Sequence, residues 1–219
     1  QRGYDLVADK FDQSVFRTPA CIVDAIEEQL KLRAPFAQGL DVGCGTGALS
    51  QVLTRVCTHR VVGLDSSEGM LAKARLACPP LDPAQRVEFW QGDILKLEGR
   101  GQFDVCTCFG MFGHLEAADH PEMLRRIRSS LRPGGQFIFV LSHFKRRWTR
   151  PLFWFALVFD FLMKLRNLLF KPEFVMYYLS FPLTRARRLL EEIGYRVEIV
   201  DDVFPAPYSQ LKLIVATRI

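Results

Sequence analysis

No two cysteines in this 219-residue chain stand at Cys-x-x-Cys spacing, and none of its four histidines lies at ligand spacing from a cysteine pair. A zinc site is therefore not expected. The six cysteines, Cys21, Cys44, Cys57, Cys78, Cys106 and Cys108, read instead as reduced small apolar residues, with Cys106 and Cys108 on one face of a predicted strand. No N-terminal segment combines a basic start, an apolar stretch and a small-residue cleavage site, so secretion is unsupported and a cytoplasmic location is expected. The strongest apolar run, Leu152–Phe159, is too short to span a bilayer, and Asp160 interrupts it. There is no internal repeat and no low-complexity tract.

What is present is an ordinary soluble composition, 49% apolar and 24% charged, in a chain long enough for one domain with one good core. The net charge of +5 is unevenly placed. Between His143 and Lys171, the residues Lys145, Arg146, Arg147, Arg150, Lys164, Arg166 and Lys171 face only Asp160, which exceeds the excess of the whole chain.

Residues 1–36 read as a helical leader, with Ile22, Ile26, Leu30 and Leu32 near helical spacing. Strands then alternate with helices. Strands are expected at 38–43, 60–65, 86–91, 103–109 and 135–141, and helices at 47–57, 68–78 and 120–131. Pro133-Gly134-Gly135 gives a sharp turn before the fifth strand. Such alternation predicts a mostly parallel sheet with helices on both faces. Residues 143–181 break the pattern as a basic, then apolar, then aromatic insertion. A helix at 182–193 ends at Gly194, and strands at 195–203 and 210–218 follow. Pro205-Ala206-Pro207 between them leaves no room for a crossover helix, so this last pair is expected to be antiparallel.

The most informative stretch is Leu40-Asp41-Val42-Gly43-Cys44-Gly45-Thr46-Gly47. An apolar strand stops, a turn without side chains follows, and a helix N-terminus then presents free N–H groups. Most such turns face a phosphate, but the acid at Asp41 favours a cation or a donor. Asp65 ends the next strand, where an acid can accept two hydrogen bonds from a ribose diol. A dinucleotide site would use Gly-x-Gly-x-x-Gly, and Asp41 would repel its pyrophosphate; here the third glycine comes one place early.

With these residues the chain resembles the class I S-adenosylmethionine-dependent methyltransferases, in the small-molecule branch with a type 11 or type 25 domain. The resemblance rests on the glycine turn, on Leu64-Asp65-Ser66-Ser67 with Met70-Leu71, and on Gln91-Gly92-Asp93-Ile94. Phe103-Asp104 and Leu131-Arg132-Pro133-Gly134-Gly135 extend it. It covers nearly everything but 143–181. It implies a Rossmann-like seven-stranded sheet with an antiparallel last strand and S-adenosylmethionine as cofactor. Asp41 and the turn Gly43, Cys44, Gly45 and Gly47 would hold the methionine portion, whose ammonium suits the acid. Asp65 would bind the ribose, Ser66 and Met70 would line the adenosine, and Asp93 and the Ile94 N–H would meet the adenine. Phe109 and Gly110 would face the transferred methyl. Tyr4, in a leader often found in the family, would close over the cofactor.

The turn after strand four lacks the Asn/Asp-Pro-Pro-aromatic tetrad of amide and adenine methylation and the Pro-Cys pair of pyrimidine chemistry, which disfavours nucleic-acid bases. His114 lies where an acceptor approaches and is the candidate general base, against the reading of a loop histidine bonded to backbone or solvent. His143 is a second candidate. Residues 143–181 should choose the acceptor. A helix there would carry Asp160, Lys164, Asn167 and Lys171 on one face and aromatic and aliphatic residues on the rest. It reads as a lid, as an interfacial helix whose Lys145-Arg146-Arg147-Trp148 meets anionic head groups, or as a partner surface. Phe112, Trp154, Tyr177 and Tyr178 complete the expected acceptor wall. The reading is methyl transfer to a small hydrophobic, lipid-like acceptor. The alternatives are an RNA or protein target for the basic cluster, or a non-catalytic binding module.

Overall fold

The computed structural model describes residues 18–142 and 181–219, with Val158 and Arg166 between them, both helical. The expected leader is present over Ala20–Lys31 (α1), where Ile22, Ile26 and Leu30 are buried as one helical stripe. The start of the leader and all but these positions of the expected lid lie outside the described residues.

β1 (Phe36–Val42) leads through the glycine turn to α2 (Ala48–Val56), and β2 (Cys57–Asp65), α3 (Glu68–Ala77) and β3 (Arg86–Gln91) follow. A 3-10 turn, Ile94–Lys96, precedes β4 (Phe103–Cys108). A second, Met111–His114, precedes α4 (His120–Ser130) and β5 (Leu131–Ser142). α5 (Leu183–Ile193), β6 (Tyr195–Val200) and β7 (Leu211–Arg218) complete the chain. The strands form one seven-stranded sheet in the order β3-β2-β1-β4-β5-β7-β6. The first five are parallel, and β7 runs antiparallel to both β5 and β6. This is the expected Rossmann-like sheet with its antiparallel last strand.

Strand periodicity divides the apolar residues between two cores. On β5, Phe137, Phe139 and Leu141 join Met123, Leu124 and Ile127 of α4 and Ala186 and Leu190 of α5. Ile138 points the other way, with Val105, Leu213 and Val215, to meet α1 and α2. Cys106 and Cys108 lie in the first core as free thiols, as their shared face implies. The strand order reverses beside β1, whose neighbours are β2 and β4. In parallel sheets a crevice opens at the strand C-termini where the order reverses. Asp41, Asp65 and Cys108 therefore end adjacent strands on one rim.

Three strand boundaries differ from expectation by three residues or more. β2 starts at Cys57, already extended at φ −104° and ψ 133°, because Cys57 pairs with Phe36. The expected turn at Pro133-Gly134-Gly135 is a bulge within a longer β5. Leu131 pairs with Phe103, pairing resumes at Gln136, and Gly134 takes φ 78°. Gly135 fits because a Cβ there would come within 2.9 Å of the Phe103 carbonyl. β6 ends at Val200, before Asp202 turns left-handed at φ 56°. Among the described residues, no helix is long and apolar enough to cross a membrane.

Candidate active site

The glycine turn is built as its sequence requires. Gly43, Gly45 and Gly47 all take positive φ, at 69°, 53° and 94°. The three differ in what surrounds them. A Cβ on Gly43 would come within 3.1 Å of Met111 Sδ, and one on Gly47 within 2.6 Å of Cys78 Sγ. A Cβ on Gly45 would meet nothing within 4 Å. Gly43 and Gly47 therefore seat the turn against the protein, and Gly45 presents bare backbone to open space.

Two carboxylates hold this turn. Asp65, half-buried, accepts from the Gly45 N–H at 2.9 Å and from the Ser67 N–H at 2.9 Å. One acid thus ties the β1–α2 turn to the start of α3, and each oxygen keeps a second lone pair. Ser67 caps α3 by accepting from the Met70 N–H. Asp41 lies beneath the turn, fully buried. Ser50 Oγ donates to it at 2.7 Å and Thr107 Oγ1 at 3.0 Å. Burial, offset in part by these two hydroxyls, raises its carboxyl from 3.8 to about 6. The Asp65 charge adds to the rise, so the two acids make this rim a negative pole. The neighbouring Cys44 and Cys108 thiols are driven well above their ordinary range, chiefly by burial, and Cys78 is pushed up to about 12. These sulfurs stay protonated and are packing groups.

The other expected cofactor residues, Tyr4 apart, follow the C-terminal ends of β2, β3 and β4. Ser66 is half-buried and Met70 buried. Asp93 is exposed beyond β3 and accepts from the Leu95 N–H at 3.0 Å, capping the turn that begins at Ile94. The Ile94 N–H belongs to the first residue of that turn, outside its own ladder. Phe109 and the exposed Gly110 follow β4, Gly110 at φ 75° with open space around it. Of the expected acceptor residues, Phe112 is buried and His114 half-buried on the turn Met111–His114. Tyr4, His143, Trp154, Tyr177 and Tyr178 lie outside the described residues.

Sequence reasoning missed Ser50 and Thr107, Asp41's partners, and Met111, which packs on Gly43. Asp104 and Arg132 were named in the sequence without their partners: Asp104 accepts from the Ala37 and Gln38 N–H groups and pairs with Arg132, binding β1 to β4 and β5 below the rim. A hydroxyl one turn into α2, on the side facing β1, was the available signal for Ser50.

Known proteins show what this chain is similar to. The model of the family described as "Methyltransferase domain" matches residues 40–135, from the strand before the glycine turn to the β5 bulge. Residues 40–135 are similar to that domain. Trans-aconitate 2-methyltransferase of Deinococcus radiodurans is 42% identical over 102 residues, 46% of this chain and 36% of that protein. Ubiquinone biosynthesis O-methyltransferase of Marinobacter nauticus is 37% identical over 114 residues, 50% of this chain and 45% of that protein. The matches thus span less than half the length of either relative. Among solved structures, a DhpI–SAH complex superposes with a TM-score of 0.71 at 20% identity, covering 98% of this chain and 93% of that one. Magnesium protoporphyrin IX methyltransferase from Synechocystis, with bound SAH, gives 0.64 at 18% identity, covering 99% of each chain. At such identities the superpositions establish the fold alone.

Proposed function

We propose that this chain transfers a methyl group from S-adenosylmethionine to a small acceptor. The observation that carries the reading is the open face of Gly45, set between two carboxylates at the ends of adjacent strands. A cationic amino-acid nucleoside fits these groups. Its ammonium would be drawn to the negative pole around Asp41, and its ribose hydroxyls to the remaining lone pairs of Asp65. Asp93 and the Ile94 N–H offer an acceptor and a donor to the base, beside Ser66 and Met70. A phosphate would face two like charges here. Bound at this rim, S-adenosylmethionine supplies a methyl group on a sulfonium. The chain's own task is to align an acceptor with it and exclude water. Phe109 and Gly110 would border the reacting end, with Tyr4 closing over it. His114, on the next turn, would receive a hydroxyl proton from the acceptor.

The names of the two relatives support a small-molecule acceptor. We further propose a hydrophobic, lipid-like one, gripped by Phe112 with Trp154, Tyr177, Tyr178 and His143. The support is the apolar and aromatic composition of 143–181 and the stacking of Phe112 on Phe181 at its end, with ring centroids 4.5 Å apart. The cluster Lys145-Arg146-Arg147-Trp148 would bring it to an anionic membrane surface.

Calorimetric titration with S-adenosylmethionine tests the assignment. Asp65→Ala is expected to weaken binding by about 1–3 kcal/mol. Asp65→Asn keeps one acceptor for the Gly45 N–H and separates scaffolding from ribose binding. Unchanged affinity in both variants contradicts the ribose role.

A further inference from the structure

His120, the first residue of α4, is fully buried, yet its Nδ1 has no hydrogen-bond partner among the described residues. Its other nitrogen, Nε2, lies 3.2 Å from the carbonyl oxygen of Phe112. A carbonyl only accepts, so Nε2 carries the proton and Nδ1 is left as a bare acceptor. The ring stands edge-on to Phe181 at 4.6 Å and to Phe112 at 5.8 Å, and Phe112 packs in turn on Phe139, forming an aromatic nest. A phenylalanine would fill this nest without stranding a polar atom. What the imidazole adds is one N–H, aimed at the carbonyl of the turn Met111–His114.

That turn joins the two halves of the site. Met111 packs on Gly43, the first glycine of the cofactor turn, while His114 sits at its other end. We propose that His120 is a positioning residue: its Nε2–H holds the Phe112 carbonyl and thereby sets Met111 against the glycine turn and His114 toward the acceptor. The inference rests on the methyltransferase reading for its purpose, but the contact itself does not. Burial holds the imidazole below its ordinary pKa and outweighs the Phe112 contact, which favours the charged ring; the Arg185 charge on α5 adds to burial and Asp119 opposes it. An imidazolium would also donate through Nε2, so the contact survives in either state; burial favours the neutral ring, whose one proton the Phe112 carbonyl fixes on Nε2.

The test compares the wild-type chain with His120→Phe and His120→Gln. Glutamine carries an N–H at a similar reach; phenylalanine carries none. Amide exchange at Met111–His114 is expected to be about 10-fold faster in His120→Phe, with no loss of melting temperature, since local opening need not follow global stability. S-adenosylhomocysteine affinity should fall about 3- to 10-fold in the same protein, the size of a modest coupling between sites. His120→Gln should restore both. Wild-type exchange and affinity in His120→Phe overturn the proposal, as does His120→Gln being as impaired as His120→Phe. If His120→Phe does not fold, ring nitrogen shifts of the wild-type protein decide: a protonated Nε2 with a bare Nδ1 supports the contact, and the opposite tautomer overturns it. Failure of the wild type to bind S-adenosylhomocysteine would defeat the cofactor reading, while the exchange comparison still judges His120.

Discussion

Asp41→Asn should stabilise the ligand-free protein while weakening its hold on the cofactor. Asp41 is fully buried, with its carboxyl raised from 3.8 to about 6. The folded chain therefore binds this proton more tightly than the unfolded chain does. The stability tied to Asp41 is complete below pH 3.8 and is lost as pH rises through about 6. A rise of that size is worth about 3 kcal/mol above the window. Asparagine is neutral at every pH and still meets Ser50 and Thr107, whose hydroxyls can reverse to accept from its amide. Allowing about 1 kcal/mol for poorer hydrogen bonds leaves a gain of about 1–2 kcal/mol at pH 8. In a chain of this length that is a melting temperature roughly 2–8 °C higher. Scanning calorimetry from pH 4 to pH 8 reads the gap directly. It should be small at pH 4, open through pH 6, and stay constant above. An asparagine variant less stable than wild type at pH 8, or a gap independent of pH, would refute the reasoning. Cofactor affinity should fall in the same variant, because the charge that burdens the empty fold is the one proposed to meet the ammonium.

The glycines separate in the same way. Gly47→Ala puts a methyl group within 2.6 Å of Cys78 Sγ at φ 94° and should cost roughly 2–4 kcal/mol of stability by denaturant unfolding. Gly45→Ala enters open space at φ 53°, so it should cost only about 1–2 kcal/mol of stability while abolishing measurable cofactor binding. Equal effects of the two on binding would contradict the assignment of Gly45 as the ligand-facing glycine. His114→Ala should leave S-adenosylhomocysteine affinity unchanged and, once an acceptor is in hand, lower turnover about 10²- to 10⁴-fold and flatten its pH profile. Normal turnover at all pH values would remove His114 from the mechanism.

The parts of the site legible in the sequence are those whose meaning is local. Alternating glycines after an apolar run require a turn of positive φ, and all three adopt it. Asp65 was legible because a strand end fixes where its side chain must lie. The strand alternation gave the parallel sheet, and Pro205-Ala206-Pro207 gave the antiparallel close. Distant partners were not legible. Asp41 is held by Thr107, 66 residues away, and that pairing exists only because β1 and β4 are neighbours. Gly43 and Met111 meet for the same reason. His114 drew attention by standing in a loop, whereas His120 read as the start of a helix; burial, which separates them, is a property of the fold. The β5 bulge was misread as a turn because Pro-Gly-Gly signals a break in pairing without saying that pairing resumes in the same strand.

Calorimetric titration of the wild-type chain with S-adenosylhomocysteine at pH 8 bears most directly on the central claim. The rim formed by Asp41, Gly45 and Asp65 predicts saturable binding at one site per chain, lost in Gly45→Ala and weakened by Asp65→Ala. No heat of binding and no thermal shift at saturating ligand would contradict it.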